Sequence, residues 1–377
     1  MNPLQQLNEC GQSYWLDNLN RWMIRHGTLE YWIREQGLQG ITANPTTFRE
    51  ALAGEAYDEE ISGLAQQDKT TKEIYDTLLV SDVRQACDLL QDVHTSTQGV
   101  DGFVSLEVSP RFAHDTDGTM SEARRYVALV NRPNLLIKVP ATEAGIPAIE
   151  QLLYEGIPIN ITLLFSVQSY QAVIEAYLSA LERRVTDDRP LQSIISVASF
   201  FVSRIDTLID QLLHQRIPEV DVKKQSPPAR LLGSAAIANA KLAYQTFRQA
   251  FTGERWKPLA AKGAHVQRPL WASTGTKSPS YSDVYYVENL IGRETVTTMP
   301  ENTLRAFADH GQVIKGTIES DINKASHIVN ALEKVGVNFS GATWQLEHEG
   351  VQKFLESYHA SLDVIDQKRK SMAGVSA

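Results

Sequence analysis

Short apolar runs rich in Val, Ile, Leu and Phe recur along the 377-residue chain, separated by longer stretches whose apolar residues return every three or four positions. That alternation is the mark of parallel βα units, in which each strand is covered on both faces and each helix packs one stripe onto the sheet. Eight runs have strand character: Ser13–Asp17, Gly40–Pro45, Asp101–Val108, Asn134–Pro140, Pro158–Phe165, Ile194–Val202, Arg268–Thr274 and Thr295–Pro300. Between the fifth and sixth, Val167, Tyr170, Val173, Ile174, Tyr177, Leu178 and Leu181 fall on one stripe of a helix predicted over Ser166–Arg184. Eight such strands predict an α/β fold, a (β/α)8 TIM barrel with extra helices; counting alone leaves a doubly wound sheet open.

No internal repeat or low-complexity linker divides the chain, so residues 1–377 are expected to form one barrel domain. Residues 205–267 exceed one crossover helix and are expected as a helical insertion, with KKQSPPAR a surface loop between helices. A helical C-terminal extension is expected after about residue 301, with its polar end DQKRKSMAGVSA fraying.

Polar residues inside strands buried on both faces need a reason. Lys138 lies in NLLIKVPA between Ile137 and Val139, and lysine is rarely enclosed without a partner or a task. The plain alternative is a strand-end lysine whose head snorkels to solvent. Its company bears on that choice. By the period of two, Ser105 shares a face with Glu107, Asn160 with Thr162, and Thr42 with Asn44, while Asp17 ends the first run. Each alone is a routine local hydrogen bond or cap. In a barrel, the carboxyl ends of the strands converge on one mouth, where these groups would gather. A lysine among carboxylates, amides and hydroxyls is the equipment for imine chemistry: a neutral amine attacks a carbonyl, apolar surroundings disfavour an ammonium, and a carboxylate moves the protons.

Composition narrows the partners. With 42% hydrophobic and 21% charged residues the chain is ordinary globular material, and a net charge of −9 without basic runs argues against a nucleic-acid binder. Any bound phosphate should be small and locally held. Cys10 and Cys87 stand in no disulfide or zinc spacing, which fits a reducing cytoplasm. The amino terminus has no signal-peptide pattern, the mature chain is expected to start near Met1, and no stretch is apolar enough to span a membrane. Neither GxxxxGK[ST] nor GxGxxG follows a strand, so ATP and nicotinamide chemistry lack support.

The strings GITANPTTF, VSLEVSP, LLIKVPAT, GIPINITLLFS and ASFFVSRIDT, in this order, resemble the signature segments of transaldolase. The resemblance runs from Asp17 to TTMPENTL at Thr297–Leu304, and LWASTGTKSP after a helical insertion is similar to the longer bacterial type. It implies a class I aldolase-like barrel that needs no cofactor, with Lys138 as the imine-forming residue on the fourth strand. It further implies Asp17 as the base at the C4 hydroxyl, and Glu107 and Thr162 as holders of a proton-shuttling water. Asn44, Asn160 and Ser199 would bind substrate hydroxyls, and Arg204 and Ser273 the phosphate. Shorter members carry an arginine two residues beyond that serine; here the position is Gly275, and Lys277 is expected to supply the second cation.

Arg204 could instead pair with Asp206 or Asp210, and Phe201, which shares a face with Ser199, is expected to pack over the substrate site, with a plain core phenylalanine as the alternative. Trp15, Trp22, Trp32 and Trp271 read most simply as core or interface residues. The expected activity is transfer of a dihydroxyacetone unit between sugar phosphates in the non-oxidative pentose phosphate pathway, in the cytoplasm. The expected partners are sugar phosphates, no nucleic acid, no membrane, and a second copy of the chain in a homodimer. The rivals are a fructose 6-phosphate aldolase and a non-catalytic sugar-phosphate binding protein.

Overall fold

Every apolar run singled out above forms a strand, and the eight strands close on themselves. In the computed structural model, which describes residues 2–218 and 226–374, these are β1 (Gln12–Asp17), β2 (Gly40–Thr42), β3 (Phe103–Glu107), β4 (Leu135–Pro140), β5 (Ile159–Leu164), β6 (Ser196–Phe201), β7 (Arg268–Ala272) and β8 (Thr295–Met299). All are parallel in sequence order, and β8 pairs back onto β1, so the fold is a TIM barrel and the doubly wound alternative falls away. The helix predicted over Ser166–Arg184 forms as Val167–Thr186, capped by the Ser166 hydroxyl on the Ser169 amide.

One boundary differs in an instructive way. β2 stops at Thr42, because Pro45 opens a helix, Pro45–Leu52, whose first amides at Thr46 and Thr47 are capped by the Asn44 side chain. Proline at the first helical position is pre-set for such a start, where its missing N–H leaves no helical bond unmade. Asn44 is therefore a cap beyond β2, where the period of two had placed it on the strand.

Between β6 and β7 run the helices Ser203–His214, Ala235–Ala250 and Lys257–Ala261. Of the expected KKQSPPAR loop, residues 223–225 lie outside the described residues, and Ala229–Leu231 forms a single 3-10 turn. After β8 come Glu301–His310, Ile322–Lys334 and a closing helix, Phe339–Gly374. The expected fraying is corrected over most of that end. Lys368 pairs with Asp58 at 2.5 Å and donates to the Gly54 carbonyl, while Arg369 donates to the Lys69 carbonyl. Those bonds fasten the last turns to the 54–69 region; residues 375–377 lie outside the described residues, as does Met1. Among the described residues no helix is long and apolar enough to cross a membrane.

The barrel interior is filled below the carboxyl mouth. Trp15, Gly40 and Phe103 are register partners on β1, β2 and β3, and a Cβ on Gly40 would lie 2.6 Å from the Trp15 indole. Glycine is thus required there by packing. At the amino mouth Asp101 accepts from Ser13 Oγ at 2.6 Å, from Trp15 Nε1 at 3.1 Å and from both terminal nitrogens of Arg268 at 3.2 and 3.0 Å. Trp15, Trp32 and Trp271 are buried, whereas Trp22 is not core: it stands 55% exposed and stacked on His26.

Removing Asp101 would leave a buried guanidinium without its counter-charge, the costly half of a broken buried pair. Asp101→Ala should therefore destabilise the fold by about 3 kcal/mol, read by denaturant unfolding. Because the pair sits at the opposite mouth, ketose-dependent labelling of Lys138 should persist below the unfolding transition. A change under about 0.5 kcal/mol, the usual range for surface substitutions, would show that Asp101 is no keystone.

Candidate active site

Strand register sets the site. Glu107 on β3, Lys138 on β4 and Asn160 on β5 are successive register partners, so they form one row inside the barrel near its carboxyl mouth. The Lys138 ammonium lies 3.3 Å from Glu107 Oε2, both side chains 5% exposed, and donates to the Ala43 carbonyl at 3.4 Å. The snorkelling alternative is thereby excluded: the head group points inward. Burial pushes the Glu107 carboxyl up, with Lys138 acting against the shift and Asp17 adding to it.

The amides and hydroxyls knit the same centre. Asn160 donates to Ser105 Oγ at 2.9 Å and accepts from Ser199 Oγ at 2.7 Å, which fixes its amide across β3, β5 and β6. On the other flank Thr42 Oγ1 donates to Asp17 Oδ1 at 2.9 Å and lies 2.7 Å from Thr298 Oγ1, and Asn44 Nδ2 donates to Asp17 at 3.4 Å. Asn44 thus caps a helix with its oxygen while its nitrogen faces the carboxylate. Thr162 Oγ1 is buried with no hydrogen bond to another protein group among the described residues, and Glu107 Oε2 is buried against the Lys138 ammonium.

A cavity of about 220 Å³ opens over this centre, bordered by Asp17, Asn44, Lys138, Ser199, Arg204 and Lys277 among others. Phe201 and Ser273 border it too. Glu107, Asn160 and Thr162 sit behind that surface in the strand rows. A larger cavity of about 790 Å³ at the amino mouth touches none of the expected site residues, and of its two arginines, Arg268 and Arg293, the first is already bound by Asp101. The smaller cavity is the one that gathers the expected site residues.

Arg204 pairs with neither Asp206 nor Asp210. Asp206 accepts from the Ala236 amide and Tyr286, Asp210 from the Gly233 amide and Tyr281. The guanidinium instead lies 5.4 Å from the Phe201 ring and 5.9 Å from Phe354. Ser273, with φ of 57°, turns the chain at the end of β7, its hydroxyl 2.9 Å from Ser203 Oγ. At Gly275 a Cβ would stand 3.1 Å from Pro300 and 3.2 Å from Thr303, so a longer side chain fits there only if they yield.

A family profile described as Transaldolase/Fructose-6-phosphate aldolase matches residues 14–365. The chain belongs to that family. It is 42% identical over 380 residues to Transaldolase 2 of a Nostoc species, the match covering 100% of both chains. It is 45% identical to a Transaldolase of Thermobifida fusca, over 97% of this chain and 98% of that one. A Mycobacterium leprae Transaldolase is 44% identical, with 99% and 98% covered.

Within this transaldolase/aldolase barrel several cavity residues escaped the sequence reading. Thr46, Thr47 and Glu50 come with the Pro45–Leu52 helix, and Thr298 with β8. Lys353 and Phe354 come from the closing helix, where Phe354 stands 5.8 Å from Lys138 Nζ. The NPTT string, a cap followed by proline, held the signal for the first group. No local pattern announces the second, because nothing in a helix stripe says which barrel mouth it will cross.

The segment that carries Lys277 is anchored by Tyr281 and Tyr286 through Asp210 and Asp206. Burial raises the Asp206 carboxyl to about 7, opposed mainly by the Ala236 amide. A raised acid favours the fold when protonated. Its contribution is full below the usual aspartate value of about 4 and is lost as pH rises towards about 7. Asp206→Asn should flatten the stability profile across that window in denaturant titrations at successive pH values. Equal slopes in variant and wild type would count against the assignment.

Proposed function

We propose that the chain is a transaldolase: it transfers a dihydroxyacetone unit from sedoheptulose 7-phosphate or fructose 6-phosphate to glyceraldehyde 3-phosphate or erythrose 4-phosphate. The reading places it in the non-oxidative pentose phosphate pathway of the cytoplasm, as one barrel domain with a helical insertion over residues 205–267. The observation that carries it is the enclosed Lys138 amine beside Glu107, facing a cavity that also holds Asp17 and Arg204. The full-length likeness to proteins named Transaldolase supports it.

In this reading Lys138 gives up a proton to Glu107, whose raised proton affinity suits it to accept, and the neutral amine attacks the C2 carbonyl. Glu107 and Thr162 hold the water that protonates the departing hydroxyl, and loss of water leaves a protonated imine. The Asp17 carboxylate, aligned by Thr42 and Asn44, removes the C4 hydroxyl proton. The C3–C4 electron pair then moves into the imine, the aldose phosphate leaves as an aldehyde, and an enamine stays on Lys138. That enamine attacks the acceptor aldehyde, Asp17 returns the proton to the new hydroxyl, and hydrolysis frees the ketose. Asn160 and Ser199 hold substrate hydroxyls, while Arg204, Ser273 and Lys277 face the phosphate, the arginine fork being suited to a phosphoryl oxygen pair.

Borohydride added with fructose 6-phosphate should fix a covalent adduct on Lys138, found by peptide mass spectrometry. Unmodified Lys138 during turnover would sink the reading. Lys138→Arg should keep the fold and lower the rate on the order of a thousandfold or more, since arginine cannot act as the neutral nucleophile. Free dihydroxyacetone released without an acceptor, at a rate matching transfer, would favour the aldolase. Asp17→Asn should still form the adduct yet fail to cleave C3–C4, a split that a merely structural Asp17 would not produce.

A further inference from the structure

The closing helix puts a cation where the strands supply none. The cavity over Lys138 is bordered by four cationic side chains, Lys138, Arg204, Lys277 and Lys353, against the carboxylates of Asp17 and Glu50, in a chain of net charge −9. Lys138 has Glu107 as partner. Among the described residues, Arg204, Lys277 and Lys353 form no ion pair, whereas Arg183, Arg255, Arg268 and Lys368 elsewhere in the fold do. Three unpaired cations on one small cavity repel one another unless an anion joins them.

Backbone geometry commits the helix to this place. Leu163, with φ of 62° at an irregularity in the β5–β6 register, turns its side chain to the closing helix, and a Cβ on Gly350 would lie 2.8 Å from Leu163 Cδ2. The same Cβ would be 3.7 Å from Arg204 Nη1. The helix therefore runs against β5 and Arg204 at Gly350, and one turn later Phe354 faces both Lys138 and Arg204. Lys353 adjoins that phenylalanine on the cavity rim. Meanwhile Gly275, crowded by Pro300 and Thr303, brings no side chain to the cavity.

We propose that Lys353 is a further substrate-binding residue, a third cationic ligand to the substrate phosphate beside Arg204 and Lys277, supplied by the closing helix. The idea rests on the sugar-phosphate reading of the same cavity. The electrostatics agree: Arg204 above all, then burial and Lys277, hold the Lys353 ammonium below its ordinary range, a strain that a bound phosphate dianion would relieve. Lys353 is exposed at the rim. Its effect should accordingly be screened by salt.

Calorimetric titration of the full chain with inorganic phosphate tests this without turnover. Lys353→Met should weaken phosphate binding about tenfold at low ionic strength, by less as salt is added, and Lys353→Arg should restore it. In kinetics, Lys353→Met should raise KM for fructose 6-phosphate and leave kcat within about twofold. The kcat/KM for unphosphorylated fructose should not move. Equal phosphate affinity in wild type and Lys353→Met, or a loss shared by phosphorylated and free ketose, overturns the proposal. Borohydride trapping with dihydroxyacetone, carried out on the same variant, separates the two ideas. Trapping at Lys138 with unchanged phosphate affinity faults Lys353 alone; weakened phosphate binding without any trapping upholds Lys353 and faults the imine reading.

Discussion

The enclosed pair of Lys138 and Glu107, 3.3 Å apart and each 5% exposed, is the contact on which the carboxyl mouth depends. An ammonium or a carboxylate enclosed alone would cost several kcal/mol, so each makes the other tolerable. Parallel pairing brings them together without any loop having to fold correctly, since Glu107 and Lys138 are register partners on adjacent strands. A slip of one residue would turn both towards the helices. Barrel closure, which fixes the register all round, therefore also fixes the distance between these two groups.

The two mouths divide the work. At the amino end Asp101 saturates Arg268, Ser13 and Trp15, and Trp15 fills the interior above them against Gly40. These groups are satisfied by one another and offer little to a ligand. At the carboxyl end the reverse holds: Thr162 Oγ1 is buried without a hydrogen-bond partner, and three rim cations form no ion pair among the described residues. Polar groups left short inside a fold lower its stability, and that deficit is carried at the cavity over Lys138.

Much of this was legible because strand periodicity carries three-dimensional information. All eight runs became strands, and Ser105, Glu107, Lys138, Asn160 and Thr162 could be assigned to one side of three strands before any contact was known. Proline broke the pattern at β2: Pro45 starts a helix, and Asn44 left the strand to cap it. The family strings then pointed to Arg204, and the bonds made by Asp206 and Asp210 removed its competing partners. The closing helix was different. Its amphipathic stripe predicts burial but not address, and Phe354 meets Lys138 across more than two hundred residues of chain.

That long-range address has a physical source in Leu163. A non-glycine residue with φ of 62° within β5 is strained by roughly 1 kcal/mol or more. The strain persists because the surrounding contacts over-determine it: the turned side chain is met by a helix that can approach only because Gly350 has no Cβ. The irregularity in β5 follows directly on Thr162, so the same backbone departure both ends the row of inward polar groups and receives the closing helix. Phe354 then bounds the cavity between Lys138 and Arg204 with an apolar ring. An enamine on Lys138 is lost to protonation wherever water reaches it freely, and transfer to an acceptor aldehyde requires that it survive. A barrel whose mouth is partly walled by a helix meets that requirement better than an open one, which ties the strained leucine to the transferase chemistry proposed for the lysine.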